Sequence, residues 1–524
     1  MDKVEVEQYV SPEVSIKHAC GVFGIWIPPD GQDSSINPAT LPHAIFQGSL
    51  QNQHRGEESF GTAVGDGSQV HKPFTSMGLI RKAYEKYQSG ETKLSGHVGI
   101  GHNRYSTQGS SRIENAAPFY SECELGQVAL GQNGNLINAL ELQKELDVQG
   151  VRSVGTTDSE LMVLTIASAP GDTWEEKIEY TLKKSKGSFS LAIITKDTLF
   201  AARDAFGNRP LYLAMFENNA NPGFAISSET PAFGFLGEHI RDEVHPGEIV
   251  RIDADGVSRW QWADEVSDGF CGLEIAYLMR ADGRLRNRIQ LDAVRRALGA
   301  KLGQLYPVAD AECATYIPES SRSSAEGYAE GLSEVLGRPV FPRTSMIKGR
   351  YGTLKGSFRG FISPDDDERN LVGKNNYFPF DWLIGKKIAM VDDSIIRGTT
   401  TGGVMDTVIN RVGNLRNNGA KEVHLRIPWP PVSHSCPLGT DIQETGPMIY
   451  RDLGRNLDAV AKQLGVDSLE YLTPEQFQET VDDALGEHIG LCMGCVTGEY
   501  PLSLDGYSVS KLQLENIKLM HTTS

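Results

Sequence analysis

The most constraining part of the sequence is a short apolar strand that ends in two acidic residues and leads into a turn rich in glycine and threonine. It reads IAMVDDSIIRGTT over residues 388–400, just before a helical segment. Backbone N–H groups at a helix N-terminus, the close approach that Gly398 permits and the threonine hydroxyls together form a phosphate cradle. The carboxylates of Asp392 and Asp393 can hold ribose hydroxyls directly or a magnesium ion through water. The run predicts a phosphate-binding turn; the alternative is an acidic turn before a capped helix.

Around this run, the second half of the chain alternates strands with helices. From about residue 285 the order of strand, loop and helix repeats, which predicts a doubly wound parallel sheet with a ligand crevice beyond the carboxyl ends of its strands. The segment 358–385 is long, polar and poorly periodic, which is typical of a functional loop. The predicted helices are LDAVRRALGAKLGQL, SSAEGYAEGLSEVLG and TTGGVMDTVINRVGNLRNNG, and the predicted strands are ATYIP, KKIAMVDD and EVHLRIP.

The first half, from Cys20 to about residue 262, is dominated by short strand-like runs separated by loops rich in Gly, Asn, Pro and Asp. Helical stretches such as ALELQKELDVQG and DSELMVLTIAS intervene. We therefore expect sheets covered by helices. The predicted strands are CGVFGIWI, VGIGHNRYS, VALGQNGNLINA, FSLAIIT, LFAARDAFG, GFAISSET and GEIVRI.

Composition limits the classes of partner. A length of 524 residues predicts two to four domains, and 50 basic against 68 acidic residues give a formal charge of −18, which argues against a general nucleic-acid binder. No apolar run approaches a membrane span, and the N-terminus lacks the features of a secretory signal, so we expect a cytoplasmic protein. The seven cysteines are too few and too scattered for a disulfide scaffold.

The motifs resemble those of one family in order and over almost the whole chain. The run at 388–400 resembles the phosphoribosyl diphosphate (PRPP) signature of type I phosphoribosyltransferases. The first half resembles the glutaminase half of glutamine PRPP amidotransferase, also called amidophosphoribosyltransferase. The resemblance implies a propeptide over residues 1–19, an α+β N-terminal-nucleophile (αββα) glutaminase domain over 20–270, and an α/β type I phosphoribosyltransferase domain over 271–524. The matching motifs are ACGVFGI, QHRGEES, GHNRYSTQG, NAAPF, GQNGNLIN, TTDSE, RDAFGNRPL and SSET.

Glutaminase chemistry gives these residues roles. A thiol is a poor nucleophile until it is deprotonated, and removal of residues 1–19 would free the α-amino group of Cys20 to act as its base, with an unperturbed pKa of roughly 7.7 to 8.0. By resemblance, the Asn133 side chain and the Gly134 backbone N–H would stabilise the oxyanion. Arg104 would pair with the glutamine carboxylate and Asp158 with its ammonium group.

In the transferase half, the resemblance assigns residues to each part of PRPP. Asp392 and Asp393 would hold the ribose and magnesium, with help from Ser320 at the metal. The remaining residues form two sets. The 5-phosphate pocket would consist of Ser394, Arg397, Gly398, Thr399 and Thr400, and the loop that closes over pyrophosphate would contribute Lys348, Arg350 and Tyr351.

Four cysteines form a further candidate site. Cys492 and Cys495 form a C-x-x-C pair that can place two thiolates on one metal, and Cys271 and Cys436 can complete a four-thiolate site after folding. The placement resembles the iron-sulfur branch of the family, which implies a structural [4Fe-4S] cluster. The alternatives are zinc and buried free cysteines. Cys123 and Cys313 fit no site and are predicted to be packing residues.

Departures from the family pattern leave alternatives open. The loop reads KGRYGTLKGSFRGFI, with three extra residues and Gly349 in place of Asn, and LVGKNNY, LEIAYLMRADG and Glu57 also depart from the pattern. The leading hypothesis is synthesis of 5-phosphoribosylamine from PRPP and glutamine, by a homotetramer inhibited by purine nucleotides. A second is a paralogue that passes ammonia to another acceptor. A third is a non-enzymatic nucleotide-responsive binding protein.

Overall fold

The computed structural model describes residues 20–29, 35–90, 93–105, 109–218, 221–237, 239–318, 320–348, 377–396, 412–413, 415–444, 446–507 and 514–515. Several sequence-based predictions concern residues outside these ranges. The predicted propeptide, the loop residues Arg350 and Tyr351, most of the helix predicted after residue 398, and the phosphate-turn residues Arg397, Gly398, Thr399 and Thr400 all lie outside the described residues.

The first half is built on two antiparallel sheets packed face to face, because β1 and β4 of one sheet contact β6 and β7 of the other. The strand orders are β11-β9-β10-β1-β4-β2-β3 and β13-β12-β8-β7-β6-β5. The strands are β1 (Gly21–Trp26), β2 (Ser59–Gly65), β3 (Phe74–Met77), β4 (Val98–Arg104), β5 (Phe119–Cys123), β6 (Gly126–Leu136), β7 (Gly187–Ile194), β8 (Leu199–Arg203), β9 (Tyr212–Asn218), β10 (Asn221–Ser227), β11 (His239–Glu243), β12 (Glu248–Asp253) and β13 (Gly256–Gln261).

Alternation along β1 shows why a sheet forms here and why both of its faces are covered. Val22 and Trp26 lie in the apolar layer between the two sheets, whereas Phe23 and Ile25 pack in the layer that includes residues of α1. Successive side chains of a strand point to opposite faces, so an apolar residue at every position requires burial on both sides. The covering helices are α1 (Leu41–Gln51) and α2 (Ile80–Ser89) on the first sheet, and α3 (Ala139–Val148), α4 (Asp158–Ser168) and α5 (Trp174–Lys184) on the second.

The second half contains a parallel sheet in the order β17-β20-β21-β22. Its strands and the shorter ones near them are β14 (Phe270–Cys271), β15 (Arg284–Leu285), β16 (Ile289–Gln290), β17 (Cys313–Tyr316), β18 (Met346–Lys348), β19 (Tyr377–Pro379), β20 (Lys387–Val391), β21 (Glu422–Ile427), β22 (Ser468–Tyr471) and β23 (Leu491–Cys492). The helices are α6 (Leu291–Leu305), α7 (Arg322–Leu336), α8 (Ile449–Asp452), α9 (Leu457–Leu464), α10 (Pro474–Leu485) and α11 (Gly494–Thr497).

Helices α6 and α7 pack with their backbones unusually close. A Cβ added at Gly299 would lie 1.9 Å from Ser324 O, and one added at Gly327 would lie 1.9 Å from Arg296 O. Only glycine leaves room for this approach, so these glycines set how the two helices cross.

The fold predicted from the sequence is confirmed in both halves. The sandwich with helices on its two outer faces is the αββα arrangement, and α6 covers the residues predicted for it. The predicted boundary between residues 270 and 271 falls inside β14, which pairs with β23 near the C-terminus, so the division into domains stays a prediction. None of the helices in the described part of the chain is long and apolar enough to cross a membrane.

Candidate active site

Cys20 lies immediately before β1 and is buried. Its Sγ donates to Tyr105 O at 3.2 Å and accepts from Tyr105 N at 3.3 Å. Burial raises the pKa of the thiol to about 12; nearby Arg104 acts to lower this pKa, and Asp158 and Glu58 act to raise it. The thiol is therefore protonated at neutral pH and needs a base before it can attack a substrate.

The predicted oxyanion residues lie on β6, next to Cys20. With its side-chain amide oriented to satisfy both neighbours, Asn133 donates to Cys20 O at 3.1 Å and accepts from Arg55 Nη2 at 3.3 Å. A Cβ at Gly134 would lie 2.0 Å from Ser188 O on the neighbouring strand β7, so residue 134 must be glycine. The structure thus places Asn133 beside the backbone of Cys20, and its role at the oxyanion stays a prediction.

Arg55 is a site residue that the sequence reasoning missed. It ends a short 3-10 turn, Gln53–Arg55, between α1 and β2. Its Nε donates to Cys20 O at 3.1 Å, and its guanidinium pairs with Glu229 and Glu274, at 2.6 Å in each case. All three charged side chains are fully buried. The available signal was the arginine of the motif QHRGEES, which the sequence analysis matched without giving it a role.

Arg104 and Asp158, a cation and a carboxylate, both lie near Cys20. Arg104 ends β4 and is paired with Glu58. Asp158 is the first residue of α4, after the N-cap residue Thr157, and burial raises the pKa of its carboxyl group. Both side chains interact electrostatically with the Cys20 thiol. The structure thus brings a cation and a carboxylate to the nucleophile, as pairing with the two charged ends of an amino acid would require.

The second candidate site lies at the carboxyl end of β20. Asp392 and Asp393 follow this strand and are buried. Ser394 Oγ donates to Asp393 at 2.9 Å. Two adjacent carboxylates at this edge of a parallel sheet offer the hard oxygen ligands that magnesium prefers.

The serine next to these carboxylates is Ser321. Its Oγ donates to Asp392 at 2.9 Å and to Asp393 at 3.4 Å. Its neighbour Ser320 is the residue that the resemblance implies at the magnesium, and that role stays a prediction. Ser321 is the N-cap residue of α7. Lys348 is the last residue of β18.

The four cysteines of the predicted metal site are gathered on the transferase side of the molecule. Cys271 and Cys492 are paired neighbours in β14 and β23. Burial raises the pKa of Cys271 to about 11 and that of Cys492 to about 12. Cys495, also with a raised pKa because of burial, interacts electrostatically with Cys436, Cys271 and Cys492. All four are free thiols. Among the described residues, no three His, Cys, Asp or Glu side chains form a group that could hold one metal ion.

Comparison with known proteins finds relatives that match nearly the whole length of the chain. A family model for a glutamine amidotransferase domain matches residues 102–234. The chain is 37% identical over 508 residues to the amidophosphoribosyltransferase of Synechococcus elongatus, covering 96% of this chain and 95% of that protein. It is 34% identical to the amidophosphoribosyltransferase of Methanothermobacter thermautotrophicus, covering 94% of this chain and 96% of that protein. The chain belongs to the amidophosphoribosyltransferase family.

Solved structures agree with this assignment. Glutamine PRPP amidotransferase from B. subtilis, complexed with ADP and GMP, superposes with a TM-score of 0.80 at 29% identity, covering 94% of this chain and 100% of that one. A structure of the allosteric regulatory enzyme of purine biosynthesis gives a TM-score of 0.78 at 30% identity, covering 94% and 98%. The amidophosphoribosyltransferase resemblance and the enzyme class predicted from the sequence are confirmed. The full-length match does not favour a different ammonia acceptor.

Proposed function

We propose that the chain transfers ammonia from glutamine to C1 of PRPP, giving 5-phosphoribosylamine, glutamate and pyrophosphate, the first step of purine synthesis. The observation that carries this proposal is the grouping around Cys20: a buried thiol, the Asn133 amide, Arg104 and Asp158 in one half. The transferase half supplies the acidic crevice at the end of β20.

The first step needs a base for the Cys20 thiol. We propose that mature protein begins at Cys20, so that its free α-amino group takes the thiol proton. Sγ then attacks the side-chain amide carbon of glutamine. Asn133 and the Gly134 N–H stabilise the oxyanion, while Arg104 and Asp158 hold the carboxylate and ammonium groups of the substrate. The protonated α-amino group returns this proton to the departing nitrogen, so collapse of the intermediate releases ammonia and leaves a γ-glutamyl thioester. Water then hydrolyses the thioester to glutamate and the free thiol.

The second step uses the released ammonia before water can protonate it, since an ammonium ion has no lone pair with which to attack. Ammonia attacks C1 of PRPP and the C1–oxygen bond to pyrophosphate breaks. We propose that Asp392 and Asp393 hold the ribose and magnesium, with help from Ser320 at the metal and with Ser321 hydrogen-bonded to the two carboxylates. Ser394 and the turn at 397–400 would bind the 5-phosphate, and Lys348, Arg350 and Tyr351 would close over pyrophosphate.

The residues present fit both proposed metal groups. Magnesium suits the paired carboxylates of Asp392 and Asp393, where it would neutralise charge on the departing pyrophosphate. A [4Fe-4S] cluster would suit Cys271, Cys436, Cys492 and Cys495, because four cysteine thiolates are the ligands of such clusters and these four are free and close enough to interact. Zinc is the alternative that the same four thiolates could hold.

Regulation and assembly stay proposals. The B. subtilis relative was solved with ADP and GMP, which supports purine nucleotides as effectors of this chain. We also propose a homotetramer in the cytoplasm, as inferred from the sequence.

The decisive assay uses anaerobically purified protein with glutamine, PRPP and magnesium, and follows glutamate and pyrophosphate together. We expect equal amounts of the two products. In a Cys20→Ala variant, glutamine should support no pyrophosphate release, whereas added ammonia still does. An Asp393→Asn variant should lose both reactions. Glutamate formation in intact wild-type protein that is independent of PRPP, with no pyrophosphate released, would refute the proposal.

A further inference from the structure

A loop of the transferase half, residues 437–440, is seated on the glutaminase half beside the oxyanion strand. Asn135 on β6 donates its side-chain N–H to Pro437 O at 2.9 Å, and Ser188 on β7 donates to Leu438 O at 2.7 Å. A Cβ at Gly439 would come within 3.0 Å of the Gly134 backbone. The 437–440 loop therefore forms part of the wall behind residues 133–135.

Arg209 holds this loop in place. It follows β8, and its guanidinium donates twice to Leu438 O, at 3.2 Å from Nε and 2.7 Å from Nη2. Nη2 also donates to Thr440 Oγ1 at 3.0 Å. The remaining nitrogen, Nη1, lies 3.2 Å from Glu274 Oε1. Arg209 is completely buried, so each of these contacts is made without competition from water.

Glu274 joins Arg209 to the nucleophile. It opens a single π-helical turn, Glu274–Leu278, in the transferase half. Both of its oxygens accept from Arg55, at 2.6 and 3.0 Å, and Arg55 in turn donates to Cys20 O. Glu274 is fully buried. One carboxylate from the second half of the chain thus fixes two guanidinium groups of the first half, one against the 437–440 loop and one against Cys20.

We propose that Glu274 is a positioning residue for glutamine hydrolysis. It aims Arg55 at the Cys20 carbonyl and Arg209 at the 437–440 loop, so that the glutaminase site is completed by the transferase half. This inference rests on the proposed function and adds a requirement to it: a carboxylate of the transferase half sets part of the catalytic geometry of the glutaminase half. Arg104 is paired with Glu58, and Asp158 accepts from Leu136 N and Ser159 N, so we expect substrate affinity to be a separate property.

The test variant is Glu274→Gln, which keeps the shape but removes the charge and turns an N–H group toward a guanidinium. We expect kcat with glutamine to fall about 10- to 100-fold, as for a small misplacement of reacting groups. KM for glutamine and the rate with ammonia should stay within about twofold of wild type. Alkylation of Cys20 by a diazoketone analogue of glutamine should slow in parallel with kcat, and it reports the glutaminase half alone.

The matched control is Glu243→Gln. Glu243 is also a buried carboxylate bound by two arginines, Arg203 at 2.6 Å and Arg286 at 3.4 Å, but neither of these arginines contacts the Cys20 carbonyl. We expect this variant to lower the unfolding temperature without separating the glutamine and ammonia rates. If both variants lower the two rates equally, or if Glu274→Gln leaves kcat with glutamine unchanged, the positioning role is overturned.

A milder variant covers the case in which Glu274→Gln does not fold. Thr440→Val removes only the hydroxyl that Arg209 contacts, and it should lower kcat with glutamine about two- to fivefold while the ammonia rate is kept. Glutamine and ammonia rates that both match wild type would then reject the proposal. Failure of the proposed function itself is distinguishable, because wild-type protein would in that case release no pyrophosphate with either nitrogen donor.

Discussion

The carboxylate of Asp158 offers a sharp test of how the glutaminase half binds its substrate. Its oxygens accept from Leu136 N and Ser159 N, both at 2.9 Å, and from Gln132 Nε2 at 3.2 Å. In an Asp158→Asn variant only the amide oxygen can accept, so at least one of these N–H donors is left facing the amide NH2 group. The unmade hydrogen bond should lower the free energy of unfolding by about 1–3 kcal/mol. The substitution also removes the negative charge proposed to pair with the glutamine ammonium group.

The loss of that charge sets the expected kinetic effect. Truncating one partner of a buried charge pair costs about 2–5 kcal/mol. At about 1.4 kcal/mol per factor of ten, kcat/KM for glutamine should fall roughly 30-fold to several thousand-fold. The measurement is glutamine saturation kinetics at fixed PRPP, with ammonia as the alternative donor. The ammonia reaction should be unaffected because it bypasses this pocket.

Asp204 provides the control for stability. It is equally buried and accepts from Phe189 N at 2.9 Å, Phe206 N at 3.2 Å and Asn208 N at 3.1 Å, with a pKa likewise raised by burial. Asp204→Asn should show a comparable loss of stability with little change in kcat/KM for glutamine. If Asp158→Asn lowers kcat/KM no more than this control does, Asp158 does not bind the ammonium group.

Three further predictions follow from other parts of the structure. Gly327→Ala should destabilise the protein by about 3 kcal/mol in urea unfolding, since its Cβ would lie 1.9 Å from Arg296 O, whereas Gly234→Ala, with open space around its Cβ, should have little effect. In protein that retains residues 1–19, the Cys20 pKa of about 12 should make the rate of iodoacetamide labelling rise about tenfold per pH unit between pH 7 and 10. Removal of these residues should raise the labelling rate, and its dependence on pH should level off near the amine pKa of roughly 7.7–8.0. Cys495→Ser should abolish visible cluster absorption and lower the melting temperature, and unchanged absorption would refute the assignment of this ligand.

Local sequence was sufficient to predict several of the strands and helices that carry candidate site residues. The apolar run before Asp392 predicts β20 because a short, wholly apolar segment that ends in polar residues suits a strand buried on both faces. The glycines of α6 and α7 lie within predicted helices, but only the packed structure shows that their missing Cβ atoms are what bring the two backbones together.

By itself, the sequence determined the alternation of strands and helices and the order of the motifs. It also placed Cys20 just before a strand, Asn133 within a strand and Asp158 at the start of a helix. These depend on periodicity and on residues close together in the chain. The tertiary structure alone decided that Arg55 lies between Glu229 and Glu274 and that the 437–440 loop backs the oxyanion strand. Arg55 and Glu274 are 219 residues apart. Such pairs form because a charge buried away from water must be paired, and local sequence carries no record of which distant charges will meet it.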